Sequence, residues 1–303
     1  MLILRALAEG PKQQVELRQQ TGLPAQTTLR AQLKRLEEIG AIEKQRRNRF
    51  PGVLEYELGS PGRDLLFVAD TLDRWLARAP DGPLPLGGSP AKAAIKSLAE
   101  SWSTAMLRAL ATGPLSLTEL DRVIVSLSYP SLERRLAAMR LAGHVEACPS
   151  NGRGTPYALT DWTRQGIGPL AAAARWERRH MPEHTAPIGR VDVEAAFLLS
   201  VPLLSPENAV SGSCRMAAEI PAGKERRLAG VVVSVKRGEI ESCTSRLQGS
   251  PDAWALGSVT AWLEAVIEAD TDRIEPGGDT RLARVLLDSL HRELFGELSR
   301  SAA

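Results

Sequence analysis

Cysteine is scarce in this chain of 303 residues: Cys148, Cys214 and Cys243 lie far apart, so neither a disulfide framework nor a cysteine zinc site is expected. The four histidines, at 144, 180, 184 and 291, supply no ligand set beside them, and no metal or other cofactor is expected. No apolar run approaches the roughly 20 residues that cross a bilayer. The first ten residues carry Arg5 and Glu9 where a signal peptide would be apolar, which points to the cytoplasm. Lysine is rare, seven against 31 arginines, a usage that fits a high-GC genome. The stretch GPLPLGGSP at 82–90 lacks the lysine of a phosphate loop. No G-x-S-x-G elbow or singled-out carboxylate pair is present, so an enzyme is not expected. Hydrophobic residues still make up 43%, enough for two or three globular cores.

A net charge of +2 hides a division along the chain. Residues 1–80 hold 13 basic against 10 acidic side chains, and residues 81–183 hold 12 against 9. Residues 184–303 reverse the sign, with 13 against 17. The first 183 residues are thus the part suited to a polyanion.

Those same residues contain an internal repeat. LRALAEGP at 4–11 recurs as LRALATGP at 107–114, identical at seven of eight positions. At the same offset Leu17 falls on Leu120, Leu29 on Leu132, Leu33 on Leu136, Leu36 on Met139, Gly40 on Gly143 and Ile42 on Val145. After a two-residue difference in one loop, Tyr56 meets Tyr157, Leu58 meets Leu159, Arg63 meets Arg164, and Arg74-Trp75 meets Arg175-Trp176.

The periodicities predict the same elements in each copy. In the first, a short helix carrying Leu2, Leu4 and Leu7 stops at Gly10-Pro11, and a second helix points Val15 and Leu17 inward. Gly22-Leu23-Pro24 turns the chain into a third helix over 25–39, whose apolar residues at 29, 33, 36 and 39 share one face. Strands over 41–44 and 53–58 flank a basic hairpin loop at 45–52, and a last helix runs over 63–78. Pro80 to Pro90 is a proline and glycine linker, after which residues 91–110 are expected to form one long helix. Met1 stands three residues before Leu4, so either the first copy is shortened there or the true start lies upstream.

Three helices followed by a hairpin is the winged helix-turn-helix order, in which the third helix enters a major groove. Both copies resemble the HxlR-type winged-helix regulators. The first reads ILRALAEGP, LRAQLKRLEEIG and YELGSPGR; the second reads MLRALATGP, LERRLAAMRLAG and YALTDWTRQG. The resemblance implies double-stranded operator DNA as partner. It also implies pairing, because single-copy members bind as homodimers; this tandem would act as a covalent pseudo-dimer or as a homodimer. Oxidant-sensing members carry a cysteine near the first helix, and neither copy has one there, which argues against thiol sensing.

On the first copy's third helix Thr27, Arg30, Ala31, Lys34 and Arg35 lie opposite the leucines, and with Gln26 and Thr28 near the helix start the polar ones suit base edges and phosphates. Lys44, Arg46, Arg47 and Arg49 make the hairpin a phosphate or minor-groove contact. The second copy offers Ser131, Arg134, Arg135 and Arg153, but Glu133 replaces Arg30 and Ala137 replaces Lys34. Two unequal readers are expected.

Past Pro182 no third copy follows. Strands over 214–220, 229–235 and 239–244, the last two turning at Lys236-Arg237-Gly238, precede helices over 258–268 and 280–297. An apolar stretch begins at Phe197-Leu198-Leu199, and Gly277 and Gly278 break the chain before the last helix. WALGSVTAWLEAVI at 254–267 and GDTRLARVLLDSLHRELFG at 278–296 resemble the sterol-carrier-protein-like domain. That resemblance implies an apolar tunnel, lined by Trp254, Trp262, Leu263, Val266, Leu286, Leu287, Leu290 and Phe295.

The expected architecture is therefore mainly α with an α+β part. Two winged helix-turn-helix domains, 1–80 and 91–183, are joined by a linker at 81–90 and followed by an α+β sterol-carrier-like domain at 184–303. The expected function is a transcriptional regulator whose DNA affinity is changed by a small hydrophobic effector, in an actinobacterial natural-product or drug-response cluster. The alternative is a carrier or sequestering resistance protein whose helix-turn-helix copies serve as scaffold.

Overall fold

Gly10 and Pro11 end the first helix as their chemistry requires in the computed structural model, which describes residues 1–22, 25–47, 53–100, 103–150, 154–206, 209–223 and 225–299. The first unit comprises α1 (Leu2–Ala8), β1 (Lys12–Gln13), α2 (Gln14–Thr21), α3 (Gln26–Glu38), β2 (Ile42–Arg47), β3 (Val53–Leu58) and α4 (Ser60–Ala77). The three strands form a sheet of order β1-β3-β2, with Lys12 opposite Tyr56 and Ile42 opposite Leu58. Leu4, Leu17, Leu29, Leu33 and Ile42 are buried in its core, each stabilising the fold by roughly 1.5–3 kcal/mol of transfer free energy.

After α5 (Ser89–Ala99) the same order of elements recurs from α6 (Ser103–Ala111), with two helices in place of α4. There follow β4 (Leu115–Ser116), α7 (Leu117–Val123), α8 (Tyr129–Leu141), β5 (Val145–Ala147), β6 (Pro156–Leu159), α9 (Asp161–Gln165) and α10 (Ile167–His180). The second sheet has the order β4-β6-β5. Even the helix starts correspond. Glu16 accepts the Gln13 N–H at 2.6 Å ahead of α2, and Glu119 accepts the Ser116 N–H at 2.8 Å ahead of α7.

α4 lies antiparallel to α10, and two tryptophans cross between the units. Trp75 Nε1 donates to the Trp162 carbonyl at 2.8 Å, and Trp176 Nε1 donates to the Pro61 carbonyl at 2.8 Å. Trp162 Nε1 returns a bond to the Trp75 carbonyl at 2.7 Å, with the two indoles stacked at 4.5 Å. His144 extends the stack, its ring 5.1 Å from that of Trp162.

The third unit begins with α11 (Arg190–Ser200) and a short 3-10 turn at Val201–Leu203. Strands β7 (Gly212–Ala222), β8 (Glu225–Lys236), β9 (Glu239–Thr244), β10 (Ala253–Ser258) and β11 (Glu275–Gly278) form a sheet of order β11-β10-β7-β8-β9. β10 pairs parallel to β7, the chain passing through β8, β9 and residues 245–252 before it returns beside β7; α12 (Val259–Glu268) then leads to β11, which pairs antiparallel to β10. The last helix is α13 (Thr280–Ser299). Alternate residues Cys214, Met216 and Ala218 on β7 and Val231, Val233 and Val235 on β8 bury one face. Arg237 and Gly238 both adopt positive φ, the two-residue turn that matches strand twist.

Several expectations are corrected. Val15 is exposed, since a helix separates it from the buried Leu17 by about 200°. The basic loop is shorter than read, because 45–47 extend β2 opposite β3. Residues 91–110 do not form one helix: Glu100 is extended, with ψ 141°, and α5 and α6 are separate. The linker ends at Gly88, where α5 begins. α11, β10 and β11 form where no clear sequence period marks them.

Candidate functional site

The outer face of α3 exposes Gln26, Thr27, Thr28, Arg30, Lys34 and Arg35, while Leu29 and Leu33 point into the core. Lys34 pairs with Glu38 at 3.7 Å on the same helix, an exposed pair of little energetic weight. On β2, Lys44 and Arg46 are exposed opposite Tyr56 and Leu54. Lys44 reaches Glu37 on α3 at 2.5 Å, which ties the strand to the helix, and this bond raises the lysine pKa. The polar helix face and the basic strand thus belong to one surface. Arg47 ends β2, with its side chain outside the described part, and Arg49 lies outside the described residues.

The corresponding surface of the second unit differs. Arg134 and Glu133 on α8 are exposed, and Ser131 and Arg135 are half-buried. Arg153 lies outside the described residues. Apolar side chains are exposed here: Tyr129, at the register position of Gln26, is 45% exposed, Leu141, at that of Glu38, 89%, and Val125, at that of Gly22, 93%.

A second feature is a cavity of about 290 Å³ between the second and third units. Leu98 and Thr104 flank the gap between α5 and α6, Leu107 follows on α6, and Ile167, Leu170, Ala171 and Ala174 form the α10 wall. α11 contributes Asp192, Val193, Ala196, Phe197 and Ser200, and α12 contributes Val259. Of the eight side chains expected to line an apolar site, Trp262, Leu263, Val266 and Leu290 do so. The other four are elsewhere. Leu286 and Leu287 share the α13 face of Leu290 but lie a turn before it, buried in the third unit's core. Trp254 is 38% exposed on the sheet face opposite the helices, where β10 alternation points it. Phe295 lies beyond the cavity and stacks on Phe67 of the first unit at 5.8 Å.

The third unit is anchored by charge as well as by packing. The buried Glu194 on α11 accepts from Arg108 of α6 at 2.5 Å and from Arg190 at 2.6 Å. Arg175 of α10 reaches Glu268 of α12 at 2.5 Å. Sequence reasoning missed Asp192, Glu194 and the α10 wall, because the residues that meet here are scattered between positions 98 and 294. The i, i+3, i+4, i+7 spacing of 167, 170, 171 and 174 was the signal for that wall.

Cys214 and Cys243 have thiols pushed up to about 12 by burial, so neither is a thiolate near neutral pH. His180 and His184 are spaced by four residues, but α10 ends at His180, Pro182 intervenes, and His180 Nε2 is bonded to Asp64 at 2.8 Å. Among the described residues no cluster of three His, Cys, Asp or Glu side chains could hold a metal ion, and no helix is long and apolar enough to cross a membrane.

Residues 1–81 match the HxlR-like helix-turn-helix family. They form an HxlR-like helix-turn-helix domain, with α2 and α3 as its helix pair. Among solved structures, the chain is similar to the reduced form of the transcriptional regulator YodB from B. subtilis, at 28% identity over 25% of this chain and 76% of that one, with a TM-score of 0.24. No curated protein matches.

Proposed function

We propose that this protein is a DNA-binding transcriptional regulator, working in the cytoplasm, whose affinity for its operator is changed by a small hydrophobic effector. The observation that carries the reading is the exposed face of α3, with Gln26, Thr27, Thr28, Arg30, Lys34 and Arg35, beside the basic strand holding Lys44 and Arg46. Amides and hydroxyls near a helix start suit base edges, and the arginines and lysines suit phosphates or guanine. The match of residues 1–81 to the HxlR-like helix-turn-helix family supports placing that helix in a major groove.

The second unit is read as a second winged helix, making the chain a covalent pseudo-dimer. Its equal strand order and the equivalent Trp75 and Trp176 bonds support this reading. Tyr129 and Glu133 in place of Gln26 and Arg30 make it the weaker reader. The third unit is read as the sterol-carrier-like part expected from its sequence, acting through α10. One face of that helix, Ile167, Leu170 and Ala174, borders the cavity, and the other, Ala172 and Trp176, packs toward the first unit. An occupant that fits one spacing of these helices better than another shifts the placement of the two readers, by as much as its affinities differ.

The test is selection of a duplex from random sequence followed by footprinting. One chain should protect an imperfect inverted repeat with one half-site better specified. A symmetric operator protected by two full chains would contradict the pseudo-dimer. The cavity also suits a second reading, a ligand-sequestering protein with the helix-turn-helix as scaffold. Selection of no duplex, with ligand binding intact, would favour it.

A further inference from the structure

The cavity has a chemical polarity that its apolar walls alone do not reveal. At about 290 Å³ it sits at the small end of ligand sites, which run to roughly 1,000 Å³. Leu107, Phe197, Trp262 and Leu263 approach it from three helices, and the Trp262 indole N–H is already used, donating to the Ala217 carbonyl at 2.8 Å. The Ser200 hydroxyl is likewise committed, to the Ala196 carbonyl at 2.8 Å. Among the described lining residues one carries charge: Asp192, exposed on the first turn of α11. Its Oδ2 accepts the Gly189 N–H at 2.9 Å, and a carboxylate has capacity for further donors.

We propose that this cavity binds a compact hydrophobic cation, its apolar body between α6, α10, α11 and α12 and its ammonium or amidinium head at Asp192. The assignment rests on the effector reading above and names its class. A fatty acid of the same length meets a like charge at Asp192, the one charged side chain among the described lining residues, and a neutral alcohol gains no ion pair there, so the rim selects by repulsion as well as by attraction. Because Asp192 is exposed, the preference is modest, of the size of a surface ion pair.

The test is calorimetric titration of the full chain, without DNA, with n-octylammonium, octan-1-ol and octanoate. The ammonium should bind about two- to fivefold tighter than the alcohol, and octanoate should bind weakest. Asp192→Asn keeps an acceptor for the Gly189 N–H and should bring the ammonium to the level of the alcohol, leaving the alcohol unchanged. Ala196→Phe on α11 and Ala174→Phe on α10, filling the cavity from opposite walls, should each abolish binding of all three. Absence of binding by any probe, or binding undiminished in folded filled variants, overturns the site. An alcohol that binds as tightly as the ammonium, or a preference that survives Asp192→Asn, overturns the class. Asp192→Asn leaves the apolar walls intact, so the head-group comparison stands even where a filled variant fails to fold. With no DNA in the titration, failure of the operator reading is seen separately.

Discussion

The indole of Trp75 donates across the boundary between the two repeat units to the carbonyl of Trp162, at 2.8 Å, and its repeat counterpart Trp176 makes the same bond to Pro61. Equivalent residues bonding reciprocally is what the pseudo-dimer proposed above requires. Trp75→Phe and Trp176→Phe retain the ring but remove the donor. Each should lose about 0.5–1.5 kcal/mol of stability, the net worth of one hydrogen bond, since the Trp162 carbonyl keeps the Gly166 N–H at 3.2 Å. Denaturant unfolding measures it, and neither substitution having an effect would mean that these bonds do not hold the units together.

His144 gives that boundary a pH dependence. Its Nε2–H donates to the Ala94 carbonyl at 3.0 Å, Nδ1 faces the Thr163 hydroxyl at 3.0 Å, and burial lowers its pKa from the ordinary histidine value. The unfolded chain therefore takes up a proton at higher pH than the folded one. Stability is full above the unfolded value of about 6.5 and declines as pH falls below it, by at most about 1.4 kcal/mol per pH unit. Comparing unfolding curves of the native chain and His144→Gln between about pH 5 and 8 checks this; equal slopes would contradict it.

Gly62 is required by a close approach. A Cβ there would stand 1.9 Å from the Ala41 carbonyl oxygen, against backbone that cannot yield cheaply. Gly62→Ala should cost about 1–3 kcal/mol by overpacking and displace the start of α4. A thermal midpoint equal to that of the native chain would refute the contact.

Thiol chemistry should be slow at two of the three cysteines, Cys214 and Cys243. With Cys214 and Cys243 pushed up to about 12, a thiol reagent at neutral pH should leave both unlabelled in the folded chain and label them on unfolding. Rapid labelling of either would return thiol sensing to consideration.

The readability of this chain from sequence follows from what each element reports locally. α3 was legible because Leu29, Leu33 and Leu36 carry a helical period, and its polar face followed by subtraction. Trp75 and Trp176 were legible as partners in the repeat but not as partners across space, since alignment is blind to which unit a side chain enters. The break between α5 and α6 was missed because Leu98 and Leu107 continue an apolar pattern across it. β10 and β11 were missed because one is read through a glycine, Gly257, and the other is four residues ending in Gly277-Gly278. The cavity was half legible: one face of α12 was read from its period, while α10 and α11 reach it from units whose packing no local pattern encodes.

The central claim is that the surface built from α3 and β2 binds DNA, and the salt dependence of binding to a selected duplex tests it most directly. Affinity of the full chain should fall steeply and log-linearly with salt, and Arg30→Ala, Lys34→Ala and Arg46→Ala should each weaken binding, those at phosphates lowering the slope by about one. Binding indifferent to salt and to all three substitutions would contradict it.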